Sequence, residues 1–273
     1  MSSAPAASPY ATDYVSPPFR PGWFRRAFTG LCFYSGLAGI VVRASRKAKR
    51  GRYGDVEWTA SSAATIRLLE SLGATVRIEN VAAFAKLDGP AVIVGNHMST
   101  FETFALACML QPHRPVTFIV KRALVEMPVF KHVMRSRHPI VVGRTSARDD
   151  LRLVLEEGEA HLRAGRSIIV FPNRTRAASW RPDEFNTIGV KLAKRAGVPV
   201  IPLALRTDAW GIGRWIKDCG WIRPELPVHF AFGEPLAVTG NGREAHDATV
   251  RFITGHMRAW GVPVVEGAGG EGE

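Results

Sequence analysis

His97 and Glu102 stand five residues apart, directly after an apolar β-branched run, Ala91-Val92-Ile93-Val94-Gly95. A histidine at the end of a buried strand, with a carboxylate just inside the next helix, is an arrangement that builds a general base. The carboxylate fixes the tautomer and steadies the imidazolium, while the ring takes a proton from a hydroxyl. The same residues also have a purely local reading. Ser99-Thr100-Phe101-Glu102 is a capping-box pattern, with Ser99 as N-cap and Glu102 at the third helical position. A lone histidine is, by default, a hydrogen-bonded core side chain.

Cations punctuate the chain downstream. Lys121 closes Phe118-Ile119-Val120, Arg144 follows Val141-Val142-Gly143, and Phe171-Pro172-Asn173-Arg174-Thr175-Arg176 ends another apolar run. A fourth segment, Val198-Pro199-Val200-Ile201-Pro202-Leu203, reads as a buried strand with prolines at its edges. Like charges that converge need an anion between them.

In this order and at these distances, the four segments resemble the glycerophospholipid acyltransferases, typified by 1-acylglycerol-3-phosphate acyltransferase, over roughly residues 56–236. The family's first block is Asn-His-x-x-x-x-Asp. The resemblance therefore implies His97 as general base for the acceptor hydroxyl and Glu102 as its partner, with one extra methylene relative to the family's aspartate. Its third block, Phe-Pro-Glu-Gly-Thr-Arg, helps bind the acceptor's glycerol-phosphate. Phe171, Pro172, Thr175 and Arg176 match it, whereas Asn173 replaces the acid and Arg174 replaces the glycine. Arginine resists backbone conformations that glycine allows; Arg174 either adds a bidentate phosphate contact or fills the pocket. Arg144 and Lys121 match family positions as well, and the resemblance implies acceptor-phosphate binding for them; a solvated charge at a strand end is the alternative for each. The implied reaction moves an acyl chain from acyl-CoA or acyl carrier protein to a lysophospholipid hydroxyl, foremost lysophosphatidic acid giving phosphatidic acid. No cofactor beyond the thioester co-substrate and no metal are implied. The alternative is a catalytically diverged acyltransferase fold that binds lipid or a partner.

Alternating apolar runs and helical patterns supply the elements that would position these residues. Strands are predicted at 74–79, 91–95, 116–120, 139–143, 167–171, 200–205 and 227–232, and helices at 56–72, 99–110, 148–164, 184–196 and 244–260. That alternation predicts an α/β fold: a single domain with a mostly buried mixed sheet covered by helices, plus an N-terminal membrane-associating helix. The expected organisation is a disordered segment over 1–22, a basic membrane-anchor segment over 23–55, the α/β domain over 56–260 and a disordered tail over 261–273.

The anchor is read from charge. The net charge is +12, and the first 55 residues carry nine cations against Asp13 and Asp55. The partner of such a segment is an anionic surface, nucleic acid or acidic lipid. No nucleic-acid reader motif accompanies the charge, so no nucleic-acid partner is expected. The uncharged run over 27–42 is shorter than the roughly 20 apolar residues a crossing needs, and cations flank both ends. A shallow or re-entrant helix against anionic lipid is the expectation, on the cytoplasmic face of a membrane, with a buried core helix and a cleaved signal peptide as the alternatives. Cys32, Cys108 and Cys219 are widely spaced, which fits a reducing compartment. Residues 209–222 combine Trp210, Trp215 and Trp221 with Arg214 and Lys217, as a membrane-interface loop does; ordinary packing explains them equally well.

Overall fold

The computed structural model describes residues 8–143, 146–173 and 175–265. Its strands are β1 (Tyr14–Val15), β2 (Val76–Glu79), β3 (Val92–Gly95), β4 (Val116–Lys121), β5 (Ile140–Val142), β6 (Ser167–Val170), β7 (Val200–Arg206) and β8 (Val228–Phe232). They form one mixed sheet in the order β1-β2-β8-β7-β3-β6-β4-β5. The run β7-β3-β6-β4-β5 is parallel throughout, while β8 runs antiparallel to β7 and β1 antiparallel to β2. Strands β3 and β6 are buried along their whole length, which is why they read as continuous apolar runs and not as alternating ones.

Two cores lie on opposite faces of the sheet, and alternate residues of one strand feed each. Ile93, Ile169 and Ile201 face one core; Val92, Val94, Ile168 and Val200 face the other. The first core is covered by α2 (Thr29–Lys49), preceded by the short α1 (Trp23–Ala27), and by α3 (Asp55–Glu70), α4 (Ala82–Ala85), α5 (Phe101–Ala105) and α6 (Ala107–Leu110). Short helices α7 (Arg122–Glu126) and α8 (Lys131–Arg135) follow β4. The second core lies under α9 (Ala147–Arg163), α10 (Ile188–Ala196) and α11 (Arg243–Ala259).

Every predicted strand is present, and the differences among the helices have physical causes. The single helix expected over 99–110 is broken into α5 and α6. The Ser62 hydroxyl, from α3, donates to Ala105 O at 2.9 Å and accepts from Cys108 N at 2.9 Å, so a side chain is inserted into the helical ladder. The helix expected from 184 begins at Ile188, after a 3-10 turn over Pro182–Glu184.

Both ends differ from expectation where they are described. Residues 8–16, expected to be disordered from their Pro, Ala and Ser content, are packed. Tyr10, Tyr14 and Ser16 all donate hydroxyls to Glu70 of α3, at 2.8, 2.7 and 2.5 Å, and β1 pairs with β2. At the other end Val262 is buried and Val264 bridges to Trp180, so the chain is held through the start of the predicted tail. The N-terminal helix expected near 27–42 is α2, and its apolar stripe of Phe33, Leu37, Ile40, Val41 and Ala44 is turned into the protein. No described helix is long and apolar enough to cross a membrane.

Candidate active site

Five parallel strands end on one edge of the sheet, at Gly95, Lys121, Val142, Val170 and Arg206. Open α/β sheets present their ligand crevices at this carboxyl edge. His97 leaves it from β3, the strand flanked by β6 and β7. Asn96 locks that exit: its side chain donates to Leu205 O and accepts from Leu205 N, both at 2.8 Å. The His97 ring stacks on Phe171, which leaves β6, with centroids 4.5 Å apart and planes 4° from parallel. Ala177 N donates to His97 O at 3.1 Å, tying the loop after β6 to the histidine itself.

His97 Nδ1 lies 2.8 Å from Glu102 Oε1. Glu102 is fully buried and is saturated with donors: Met98 N at 2.7 Å, Ser99 N at 3.0 and 3.1 Å, Ser99 Oγ at 2.9 Å, and the Thr207 hydroxyl from the end of β7. Ser99 Oγ also accepts from Phe101 N at 3.0 Å. The expected capping box is only half formed: the helix starts at Phe101 with Thr100 as N-cap, so Glu102 is its second residue, and Ser99 Oγ accepts from Phe101 N while the Glu102 carboxylate accepts from Ser99 N. Burial alone would raise its pKa. The hydrogen bond and charge of His97, then Thr207 and Ser99, outweigh burial and hold it below the usual carboxylate value. An ionised carboxylate can only accept, so Nδ1 carries the proton and Nε2 is the basic nitrogen. The histidine side chain keeps 20% of its surface exposed.

Beside the ring is a small hollow of about 10 Å³ lined by Asn96, Met98, Asn173, Ala177, Trp180 and Met257. Asn173 Oδ1 is buried there without a hydrogen-bond partner. A much larger groove of about 640 Å³, lined by Phe19, Arg20, Arg26, Thr29, Ile222 and Glu225 among others, includes none of the residues around His97. The chemistry of the side chains, not the size of the hollow, marks the site.

Residues 74–206 match the family model Acyltransferase. That segment belongs to the acyltransferase family. It contains β2 through β7, and with them His97, Glu102, Phe171 and Arg176. The chain is similar to the 1-acyl-sn-glycerol-3-phosphate acyltransferase of Pseudomonas aeruginosa, 28% identical over 156 residues, which cover 57% of this chain and 58% of that protein. It is also similar to the probable 1-acyl-sn-glycerol-3-phosphate acyltransferase of Mycoplasma pneumoniae, 31% identical over 117 residues, covering 42% and 43%. The chain thus spans less than two thirds of the length of these curated relatives. The fold is shared with the crystal structure of the 1-acyl-sn-glycerophosphate (LPA) acyltransferase PlsC from Thermotoga maritima. The TM-score is 0.61 at 22% identity, over 86% of this chain and 96% of that one.

Of the residues expected to bind the acceptor around the acyltransferase-family site, Lys121 ends β4 at the same sheet edge, and Thr175 and Arg176 follow β6. Arg144 and Arg174 lie outside the described residues. Arg176 is already engaged. Its Nη1 is 2.6 Å from Asp218 Oδ1 and also donates to the Thr100 hydroxyl, which donates to Asp218 Oδ1 at 2.8 Å. Burial raises the Asp218 pKa, but Thr100, Arg176 and then Lys121 outweigh it and hold it below the ordinary value. Sequence reasoning missed Thr207 and Asp218. Thr207 gave no signal before the β3–β7 pairing was known. Asp218 is the one acid in a loop read for its tryptophans and cations. In that loop Trp210 is buried against Phe33, 4.9 Å between centroids, while Trp215 and Trp221 are 90% and 87% exposed. Packing thus accounts for Trp210 but not for the two exposed tryptophans.

Proposed function

We propose that this chain is a membrane-associated O-acyltransferase that moves an acyl chain from acyl-CoA or acyl carrier protein to a lysophospholipid hydroxyl, foremost lysophosphatidic acid. The observation that carries this reading is the His97–Glu102 pair, with its basic Nε2, at the carboxyl edge of an acyltransferase-family domain. His97 Nε2 removes the hydroxyl proton as the oxygen attacks the thioester carbonyl. The tetrahedral intermediate collapses to the ester, and the departing thiolate recovers the proton from the imidazolium. Glu102 keeps Nδ1–H fixed and steadies the transient positive charge. Arg176 and Lys121, with Arg144, Arg174 and Thr175, hold the acceptor phosphate.

A membrane surface with anionic lipid is where such an acceptor resides. Support comes from exposed Trp23, Phe24, Phe28 and Leu31 beside Arg25 and Arg26 at the start of the N-terminal helices. Free Cys32, Cys108 and Cys219 fit the cytoplasmic face. A second reading, a diverged lipid- or partner-binding protein, is favoured by Asn173 and Arg174 standing where the family has an acid and a glycine. Purified wild type and His97→Ala, given lysophosphatidic acid with acyl-CoA or acyl carrier protein, separate the two. Phosphatidic acid from wild type and a loss of about 10²–10⁴-fold in the variant is expected. No product with either donor, or equal product from the variant, overturns the enzyme reading.

A further inference from the structure

Asp218 places a carboxylate on the arginine that is expected to hold the acceptor's phosphate, and it arrives there on a loop whose other side chains face solvent. We propose that residues 211–221 form a surface-sensing lid, in which Asp218 occupies the anion position at Arg176 until the loop's tryptophans enter a bilayer and the acceptor phosphate takes its place. The proposal rests on the phosphate-binding part of the reading above.

Backbone hydrogen bonds close the loop on itself. Gly211 N donates to Trp221 O at 3.0 Å, Gly213 N to Lys217 O at 3.2 Å and Cys219 N to Ile216 O at 2.8 Å. A Cβ on Gly213 or Gly220 would overlap backbone of the opposite limb, so the compact shape requires glycine at both. It hangs from two anchors. Buried Trp210 donates Nε1–H to Asp218 O at 3.1 Å, and Tyr34 of α2 donates to Gly220 O at 2.5 Å. On either side of those anchors the loop leaves Trp215, Ile216 and Trp221 exposed to solvent, with the Arg214 guanidinium 5.7 Å from the Trp215 ring.

Exposed tryptophan next to arginine and lysine is the chemistry of the anionic membrane interface. The occupant is thus a bilayer with acidic headgroups. At the half-exposed end of the loop, Asp218, which reaches Arg176 Nη1 through Oδ1, and a phosphate monoester are rival anions for one guanidinium. Because the same loop holds the tryptophans and the carboxylate, bilayer binding and phosphate binding must favour each other reciprocally.

The test uses the full chain and a soluble probe, sn-glycerol 3-phosphate. Its affinity is measured by titration calorimetry, with and without vesicles of phosphatidylcholine and phosphatidylglycerol. Without vesicles, Asp218→Asn binds the probe about five-fold tighter than wild type, the scale of one partly exposed ion pair. Vesicles tighten wild type by a similar factor and leave Asp218→Asn unchanged. Replacing Trp215 and Trp221 by serine removes the vesicle effect. Weaker binding in Asp218→Asn would mean that the aspartate positions Arg176 for phosphate, and the lid idea would fail. It fails equally if vesicles leave wild type unchanged, or if neither form binds the probe. Failure of the enzyme reading shows separately, as absence of phosphatidic acid from wild type while this binding pattern persists.

Discussion

Glu102 accepts from two backbone amides, two hydroxyls and a histidine, so substitutions there separate catalysis from folding. Glu102→Gln keeps the shape and an acceptor for Nδ1–H but loses the charge that steadies imidazolium. Turnover is expected to fall about 10²–10⁴-fold, with a smaller loss of stability. Glu102→Ala leaves several buried donors unpaired, at about 1–3 kcal/mol each, so its unfolding midpoint in urea drops well below that of Glu102→Gln. The depressed pKa also fixes a sign. The carboxyl is more acidic folded than unfolded, so its stabilisation is complete above its ordinary value of 4.5. It is lost as pH falls from there through the folded value. Melting temperature measured downward from pH 5 should fall less steeply for Glu102→Gln than for wild type. An identical acid limb would show that the carboxyl is not held ionised by its partners. His97 and Glu102 were legible because a strand end and a helix start bring them together locally. Thr207 and Asp218 reach the site across 105 and 118 residues, and no local pattern encodes that.

At the scale of elements, apolar runs flanked by turns announced the strands, because a parallel sheet buried on both faces leaves few polar positions in them. β1 was hidden for the opposite reason: two residues in a polar segment, held by antiparallel pairing with β2 and by Glu70. The interruption between α5 and α6 was equally hidden, since it comes from a serine on another helix. α10 lies on β3 through Gly189, where a Cβ would sit 2.6 Å from Val94 Cγ2. Val94 is three residues before His97, so the contact supports the strand that presents the base. Gly189→Val is expected to destabilise the fold by about 1–3 kcal/mol through overpacking, read as a lower denaturant midpoint with an unchanged m-value. No shift in midpoint would mean that the helix moves away freely and that β3 does not depend on it.

For the whole molecule, the N-terminal helices divide between two roles that hydropathy alone could not separate. The stripe of Phe33, Leu37, Ile40, Val41 and Ala44 belongs to the core, whereas α1 has no buried residue and leaves Trp23 77% exposed, with Phe24, Phe28 and Leu31 also facing solvent. Removing the whole segment would open the core and confuse unfolding with loss of membrane binding. Point changes avoid this. Trp23, Phe24 and Leu31 together changed to serine should release the protein from vesicles of phosphatidylcholine and phosphatidylglycerol while leaving its melting temperature within about 1–2 °C of wild type, because surface substitutions of this kind change stability little. Arg25 and Arg26 act on the same surface through charge, so wild-type binding should weaken as salt rises from about 0.05 to 0.5 M and the screening length contracts. Binding to neutral vesicles should be weaker at every salt concentration. If the triple variant sediments with vesicles as wild type does, the apolar start of these helices is not the contact, and the exposed tryptophans of the 211–221 loop become the only membrane-facing aromatics this reading retains.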